Sequence, residues 1–201
     1  VADAGATGSN SALTGLDSVV GELDLDNGAS VAVSGDLVDG GGIFIDTNGN
    51  EGGSHLTVAG TLTNSGRLQV GNGGLSADDS VTAAAVDNSG QIQLVGNTAT
   101  GHRATLDIAG AAGFGIAGTV TGHVQLFDDA LVEFASGQLD SIASGGQLQL
   151  NGPNTFVADA GATGSNSALT GRDSVGGELD LDSGASVAGS GDLVDDGGIF
   201  I

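Results

Sequence analysis

The chain has 201 residues and a formal net charge of −22, with 25 Asp and Glu residues against three Arg and no Lys. Such a chain cannot form the basic patch that neutralises phosphates, so nucleic acid and an anionic membrane surface are poor partners. It has no Cys, which excludes a disulfide framework. It also lacks a run of 18 apolar residues that would span a membrane as a helix.

A short alternation of polar and aliphatic residues recurs along the chain and predicts a series of β-strands. Strict alternation directs the aliphatic residues to one face. The outward residue of four segments is Gln (Gln69, Gln93, Gln125 and Gln149), which predicts an amide ladder between neighbouring strands. The predicted strands are ELDL (22–25), GIFI (42–45), RLQV (67–70), QIQL (91–94), HVQL (123–126), QLQL (147–150) and ELDL (178–181).

Two further segments follow most of these strands. The first is another alternating strand, such as HLTV (55–58), and the second is a short segment that ends in turn residues, such as GTLTNSG (60–66). Three strands and three corners make one coil of a solenoid, and no helical period intervenes. We therefore predict an all-β fold, a right-handed parallel β-helix (β-solenoid) with about six coils in each repeat. An antiparallel sandwich is the alternative.

One long stretch occurs twice. Residues 157–201 (the second copy) differ from residues 1–45 (the first copy) at only five positions, at an offset of 156 residues. Self-similarity at a fixed offset marks a repeat array. We interpret residues 1–201 as one continuous β-solenoid, with a full repeat in 1–156 and the start of the next in 157–201. The second copy stops in mid-pattern without an atypical capping segment, so we expect a window of a longer array.

Two glycine-rich inserts, residues 110–118 and residues 151–171, lengthen two of the predicted coils. In repeat proteins such insertions bulge as loops on one face, and exposed loops often carry recognition. Both inserts are therefore candidates for contacting a partner. Ordinary connecting loops are the alternative.

The segment DTNGNEGG (46–53) offers oxygen ligands at alternate positions. Asp46, Asn48 and Asn50 resemble in spacing the start of a Ca²⁺-binding loop. The match is partial, because Glu51 stands where an EF-hand has Gly. We predict no required cofactor, with calcium at Asp46, Asn48 and Asn50 as a candidate. The alternatives are a polar corner and diffuse binding of divalent cations to an acidic surface.

The cadence of the chain resembles a known class of bacterial proteins. The passages HLTVAGTLTNSGRLQVGNGG (55–74), AVDNSGQIQLVGN (85–97) and ATLDIAG (104–110) are similar to passenger regions of bacterial autotransporters and to filamentous-haemagglutinin-like adhesins. The resemblance implies a secreted or cell-surface rod of a Gram-negative bacterium, used in adhesion or biofilm. The near-identity of the two copies departs from typical passengers and favours large tandem repeats.

The sequence as a whole predicts a structural role and no enzymatic one. We expect an extracellular fibre or stalk in which identical repeats or chains stack end to end. The first alternative is an adhesin module that recognises a glycan or a host protein through residues 110–118 and 151–171. The second is a polysaccharide-degrading enzyme that uses Asp128, Asp129 and Glu133. The chain has no Trp or Tyr to stack on sugar rings, which disfavours the enzyme.

Overall fold

The computed structural model describes Ala4 and residues 9–201, and most of them lie in β-strands. Seven residues of the first copy, 1–3 and 5–8, lie outside the described residues. Two single turns of 3₁₀-helix occur, at Ser11–Leu13 and Ser167–Leu169. Among the described residues, no helix has the length and apolar character that a membrane crossing requires. The strands are β1 Ser18–Val19, β2 Glu22–Leu25, β3 Ser30–Val33, β4 Leu37–Asp39, β5 Gly42–Ile45, β6 His55–Asn64, β7 Arg67–Val70, β8 Asp79–Asn88, β9 Gln91–Val95, β10 Ala104–Ala111, β11 Thr119–Val120, β12 His123–Ser136, β13 Ser141–Ile142, β14 Gln147–Asp159, β15 Ser174–Val175, β16 Glu178–Asp182, β17 Val194–Asp195 and β18 Gly198–Phe200.

The predicted alternating strands are confirmed, and they pair in parallel with their aliphatic residues in register. Leu68 pairs with Ile92, Ile92 with Val124, and Val124 with Leu148. These side chains are completely buried. The predicted amide ladder forms in part: the Nε2 of Gln125 donates to the Oε1 of Gln149 at 3.1 Å. The inward aliphatic columns therefore build the core, as their period of two requires.

The hydrogen-bonded order of the strands is a path that folds back on itself. From β1 it runs through β4, β6, β8 and β10 to β12, and it returns through β9, β7 and β5 to β2. β12 belongs to both limbs, because its first part pairs with β9 and its second part with β10. The two ends of the path, β1 and β2, are separated by only two residues of the chain. The ten strands therefore form a nearly closed, all-parallel barrel sheet.

The prediction of a right-handed parallel β-helix with about six coils is wrong. Such a coil needs separate strands between its corners, whereas β6, β8, β12 and β14 run for 10 to 14 residues through positions predicted as corners. The physical reason is that the ladder shifts register, as between Val58 and Thr61, and then resumes. An irregularity of this kind bends a strand without ending it. All strand ladders among the described residues are parallel, which also excludes the antiparallel sandwich.

A second parallel sheet has the order β11-β13-β15-β17. The insert at residues 110–118 lies between β10 of the barrel sheet and β11, the first strand of this second sheet. Phe114 of this insert is 1% exposed and meets Phe134 edge to face, with ring centroids 5.6 Å apart. The insert is therefore anchored in the core by an aromatic side chain.

A column of glycines lines one corner of the fold, where neighbouring backbones approach closely. A Cβ on Gly66 would lie 2.2 Å from the carbonyl oxygen of Gly41, and one on Gly90 would lie 2.3 Å from that of Gly66. No side chain fits at such a separation. The glycine that precedes an alternating strand is thus a packing requirement wherever a preceding strand lies beneath it, whereas Gly21, before β2, meets open space.

Candidate functional site: two equivalent copies and an acidic corner

The first and second copies share part of their local structure, although the strand β3 has no counterpart at residues 186–189. Ser18 and Val19 pair with Val38 and Asp39 in the first copy, and the equivalent strands β15 and β17 pair in the same register in the second. Their 3₁₀ turns are likewise equivalent. The side-chain amide of Asn10 donates to the carbonyl of Ser30 at 2.7 Å, and that of Asn166 donates to the carbonyl of Ser186 at 2.9 Å. The near-identical sequences therefore form the same strand pair, the same 3₁₀ turn and the same asparagine hydrogen bond in both copies.

The first and second copies bury opposite sides. Leu37 is completely buried in the first copy, whereas its equivalent Leu193 is 40% exposed. The reverse holds on the other side, where Leu169 is completely buried and its equivalent Leu13 is only partly buried. The first copy is covered by the strands that follow it, and the second copy packs on the strands that precede it. The side that is buried in one copy is therefore the side that is exposed in the other.

The contact between the second copy and residues 138–156, which precede it, is the junction between the two repeats. Leu148 pairs with Leu179 in the ladder of β14 and β16, and the Nε2 of Gln147 donates to Glu178 at 2.8 Å. The Oε1 of Gln138 accepts a bond from the hydroxyl of Thr170 at 2.9 Å. Apolar burial and a polar rim therefore join the second copy to the full repeat.

One substitution between the copies changes the chemistry of the junction. Arg172, which replaces Leu16, is only 8% exposed. Its Nη1 donates to the carbonyl of Leu169 at 3.2 Å, but its Nε has no partner. Burial lowers the pKa of its guanidinium. No acidic group forms an ion pair with it in the part of the chain that the structure describes.

Acidic side chains converge where β5 ends. Asp46 has a left-handed backbone, with φ of +46°, and its side chain is completely buried. One of its carboxylate oxygens accepts a hydrogen bond from the amide of Asn27 at 2.6 Å, and the other from the amide of Ser54 at 2.9 Å. Carboxylate oxygens of Asp26, Asp46 and Glu51 all lie within 4.8 Å of one another. We call these three residues, with Asp79, the acidic corner.

Asp79 reaches this corner from β8. It is 1% exposed, and its Oδ1 accepts hydrogen bonds from the amides of Gly53 at 2.7 Å and Ser54 at 3.1 Å. Burial, and next the adjoining carboxyl of Asp46, raise the pKa of Asp79 to about 8. Loss of hydration and the carboxylate of Glu51 also raise the pKa of Asp26. Burial and neighbouring carboxyls therefore favour the protonated forms of Asp79 and Asp26.

The predicted calcium ligands are only partly brought together with this group. Asp46 lies at its centre, while Asn48 and Asn50 are exposed. Sequence reasoning missed Asp26 and Asp79, which lie 20 and 33 residues from Asp46 and join it through the strand pairing. Calcium at Asp46, Asn48 and Asn50 stays a prediction.

The acidic group considered for catalysis is dispersed. The Oδ1 of Asp129 forms an ion pair with the Nε of Arg103 at 2.6 Å, while Glu133 accepts a hydrogen bond from the amide of Gly161 at 2.9 Å. Asp128 is exposed. An acid–base pair at a glycosidic bond needs two carboxyl groups that flank one position. These carboxyls are instead engaged with other groups or solvent.

The two predicted loops differ in how far they protrude. Within residues 110–118, Phe114 is buried and Ile116 is 60% exposed. Much of 151–171 is not a loop, because β14 extends to Asp159 and pairs with β12, and Leu169 lies in the core. Only a tip around Ile116 therefore projects as an apolar feature.

Comparison with known proteins adds no relative. No protein-family model matches the chain, and neither the curated proteins nor the solved structures gave a match.

Proposed function

We propose that the chain is the structural repeat of an extracellular fibre or stalk on the surface of a Gram-negative bacterium. A tandem array of such repeats would extend from the cell and support adhesion or biofilm formation. The observation that carries this proposal is that the two copies pair equivalent strands in the same register and bury opposite sides, as Leu37 and Leu193 do.

This complementarity gives a physical rule for extension. The second copy packs on residues 138–156, so a junction between one repeat and the start of the next lies within the described residues. Every further copy of the 156-residue repeat can form the same junction. Where each repeat contacts only its neighbours, stability is approximately the sum of the units and their nearest-neighbour interfaces. Parallel strands also complete their hydrogen bonds across the junction and leave no internal edge unpaired.

The charge of the chain suits an exposed fibre. A net charge of −22 keeps neighbouring molecules apart and hinders lateral association of open sheet edges. The resemblance to autotransporter passengers and haemagglutinin-like adhesins supports the same localisation.

The proposal is tested with proteins that contain one, two and three repeats. We expect electron micrographs to show particles that lengthen by a constant increment per repeat, and urea denaturation midpoints that rise with repeat number. Particles resembling separate beads, with a midpoint independent of repeat number, would refute coupled stacking. The variant Leu179→Asp should uncouple the repeats because Leu179 is 1% exposed at the junction. In the 201-residue chain, Leu23→Asp is the matched control on the partly open side of the first copy.

A binding module is the second candidate, and the exposed Ile116 favours it. Residues on exposed loops often contact a partner, and an apolar side chain there would be buried by the contact. Ile116→Ser should reduce binding to host cells or glycans while the denaturation midpoint stays the same. Deletion of residues 110–118 is not a suitable test, because it would remove Phe114 from the core. Unchanged binding by Ile116→Ser would exclude recognition through this tip.

A further inference from the structure

We propose that Asp26, Asp46 and Glu51 form a binding site for one calcium ion in each repeat, with Asp79 as a fourth carboxyl against Asp46. The site differs from the one predicted from the sequence. It depends on residues from three separate segments and does not require the amide oxygens of Asn48 and Asn50.

The spacing of the oxygen atoms suits calcium. Two ligands that share a Ca²⁺ ion at about 2.4 Å lie at most about 4.8 Å apart. Carboxylate oxygens of Asp26, Asp46 and Glu51 meet this limit with one another. Calcium takes oxygen ligands in flexible geometry, whereas Mg²⁺ demands an octahedron and retains several waters. A corner with one completely buried carboxylate therefore favours calcium.

A buried oxygen atom without a partner points independently to a ligand. The Oδ2 of Asp79 is inaccessible to solvent and accepts no hydrogen bond, although the residue is 1% exposed. Its carboxyl lies beside that of Asp46, since both accept a bond from the amide of Ser54. The Oε2 of Glu51 is also buried without a partner. Orphaned buried oxygens are costly, and a cation offsets that cost.

No basic side chain supplies the missing positive charge. The three arginines bond elsewhere: Arg67 with Gln69 and Gln93, Arg103 with Asp129, and Arg172 with a backbone carbonyl. Neither ion pair within the described ranges, Ala4 and 9–201, involves the corner. Three carboxylates thus converge, with Asp79 against Asp46, and they accept hydrogen bonds from backbone and side-chain amides. A divalent cation would balance them.

The position of the site implies a structural effect. Asp26 follows β2 and Asp46 follows β5, which pair with each other, whereas Asp79 begins β8 in the other limb of the sheet. One ion would therefore connect the two limbs. Only Asp26 recurs within the second copy, as Asp182. The 201-residue chain should therefore bind one calcium ion.

The test is isothermal titration calorimetry of the EDTA-treated 201-residue chain with calcium chloride. At about 0.15 M salt the Debye length is about 8 Å, which limits diffuse binding to the acidic surface. We expect one saturable site and a higher Tm with calcium. Glu51→Gln should weaken the affinity by about tenfold or more. Asp192→Asn removes an equal charge from an exposed residue and should leave the affinity unchanged.

Two results would overturn the proposal. The first is equal weakening by Glu51→Gln and Asp192→Asn, which would mean diffuse counterion binding. The second is the absence of both a saturable heat and a calcium-dependent rise in Tm for the wild type. Because Glu51 is partly exposed, Glu51→Gln should keep the Tm of the calcium-free protein, and this measurement separates loss of binding from loss of folding. Repeat coupling is measured separately, by particle length, so the two proposals can fail independently.

Discussion

Substitution of Asp39 by Asn should stabilise the protein. Asp39 is completely buried and lies in register beside Asn64, which pairs in turn with Asn88 on the next strand. The Nδ2 of Asn64 donates to the Oδ1 of Asn88 at 2.7 Å. The Oδ1 of Asn64 and the Oδ2 of Asp39 both lack a partner. Neither acceptor has a hydrogen-bond donor. Asp39→Asn supplies an NH₂ group that can donate to the Oδ1 of Asn64 and so extend the hydrogen-bonded series of Asn64 and Asn88.

The size of the effect follows from these two oxygens. A buried acceptor without a partner costs about 1–3 kcal/mol, and a new hydrogen bond contributes about 0.5–1.5 kcal/mol. We therefore expect Asp39→Asn to raise the free energy of unfolding by about 1–3 kcal/mol at pH 7. For a chain of this size, Tm should rise by about 2–4 °C for each kcal/mol.

The gain should depend on pH. Burial raises the pKa of Asp39 above its ordinary value of 3.8, although the bond from the amide of Gly41 opposes this. The folded state therefore holds its proton to higher pH than the unfolded state, and its stability falls as pH rises between the two pKa values. At acidic pH the protonated carboxyl can itself donate to Asn64. The advantage of Asp39→Asn should accordingly shrink on acidification.

Thermal denaturation of matched variants tests this reasoning. Asp195 is the equivalent of Asp39 in the second copy, but it is exposed. Asp195→Asn should change stability by no more than about 0.5 kcal/mol. The argument fails if Asp39→Asn lowers Tm at pH 7, or if Asp195→Asn raises Tm by the same amount.

Three further substitutions probe other parts of the fold by urea denaturation. Arg172→Leu restores the residue of the first copy and should stabilise by about 1–3 kcal/mol, because a buried, unpaired charge is removed; a loss of stability would show that the guanidinium has a compensating role. Gly66→Ala should cost about 2 kcal/mol or more through collision with the neighbouring backbone, whereas Gly73→Ala meets open space and should be near neutral. Leu37→Ala should cost about 2–5 kcal/mol and Leu193→Ala clearly less, and equal costs would contradict the assignment of opposite buried sides.

Local strand structure was predictable from the sequence because alternation fixes which side chains point inwards. The aliphatic columns and their parallel register follow from that pattern and are present. Closure was not predictable. Whether a bend ends a strand depends on the hydrogen bonds that the neighbouring strands offer. The sequence around Val58–Thr61 is compatible both with a corner between two strands and with one strand whose ladder shifts register. The order of the strands in the barrel sheet therefore does not follow from the sequence pattern.

The acidic corner marks a second limit, and it concerns distance along the chain. Asp46 and Glu51 are neighbours in sequence, so a local motif search finds Asp46 and then extends to Asn48 and Asn50. Asp26 and Asp79 lie beside them only because the chain folds back on itself. Their separations along the sequence are set by the lengths of the intervening turns. Strand pairing places residues about 20 to 35 positions apart side by side. Contacts between residues at the same position of successive strands, such as Asp39, Asn64 and Asn88, can thus be predicted by aligning the segments of the chain with one another. Contacts between residues of different turns cannot, because they depend on loop lengths that vary along the repeat.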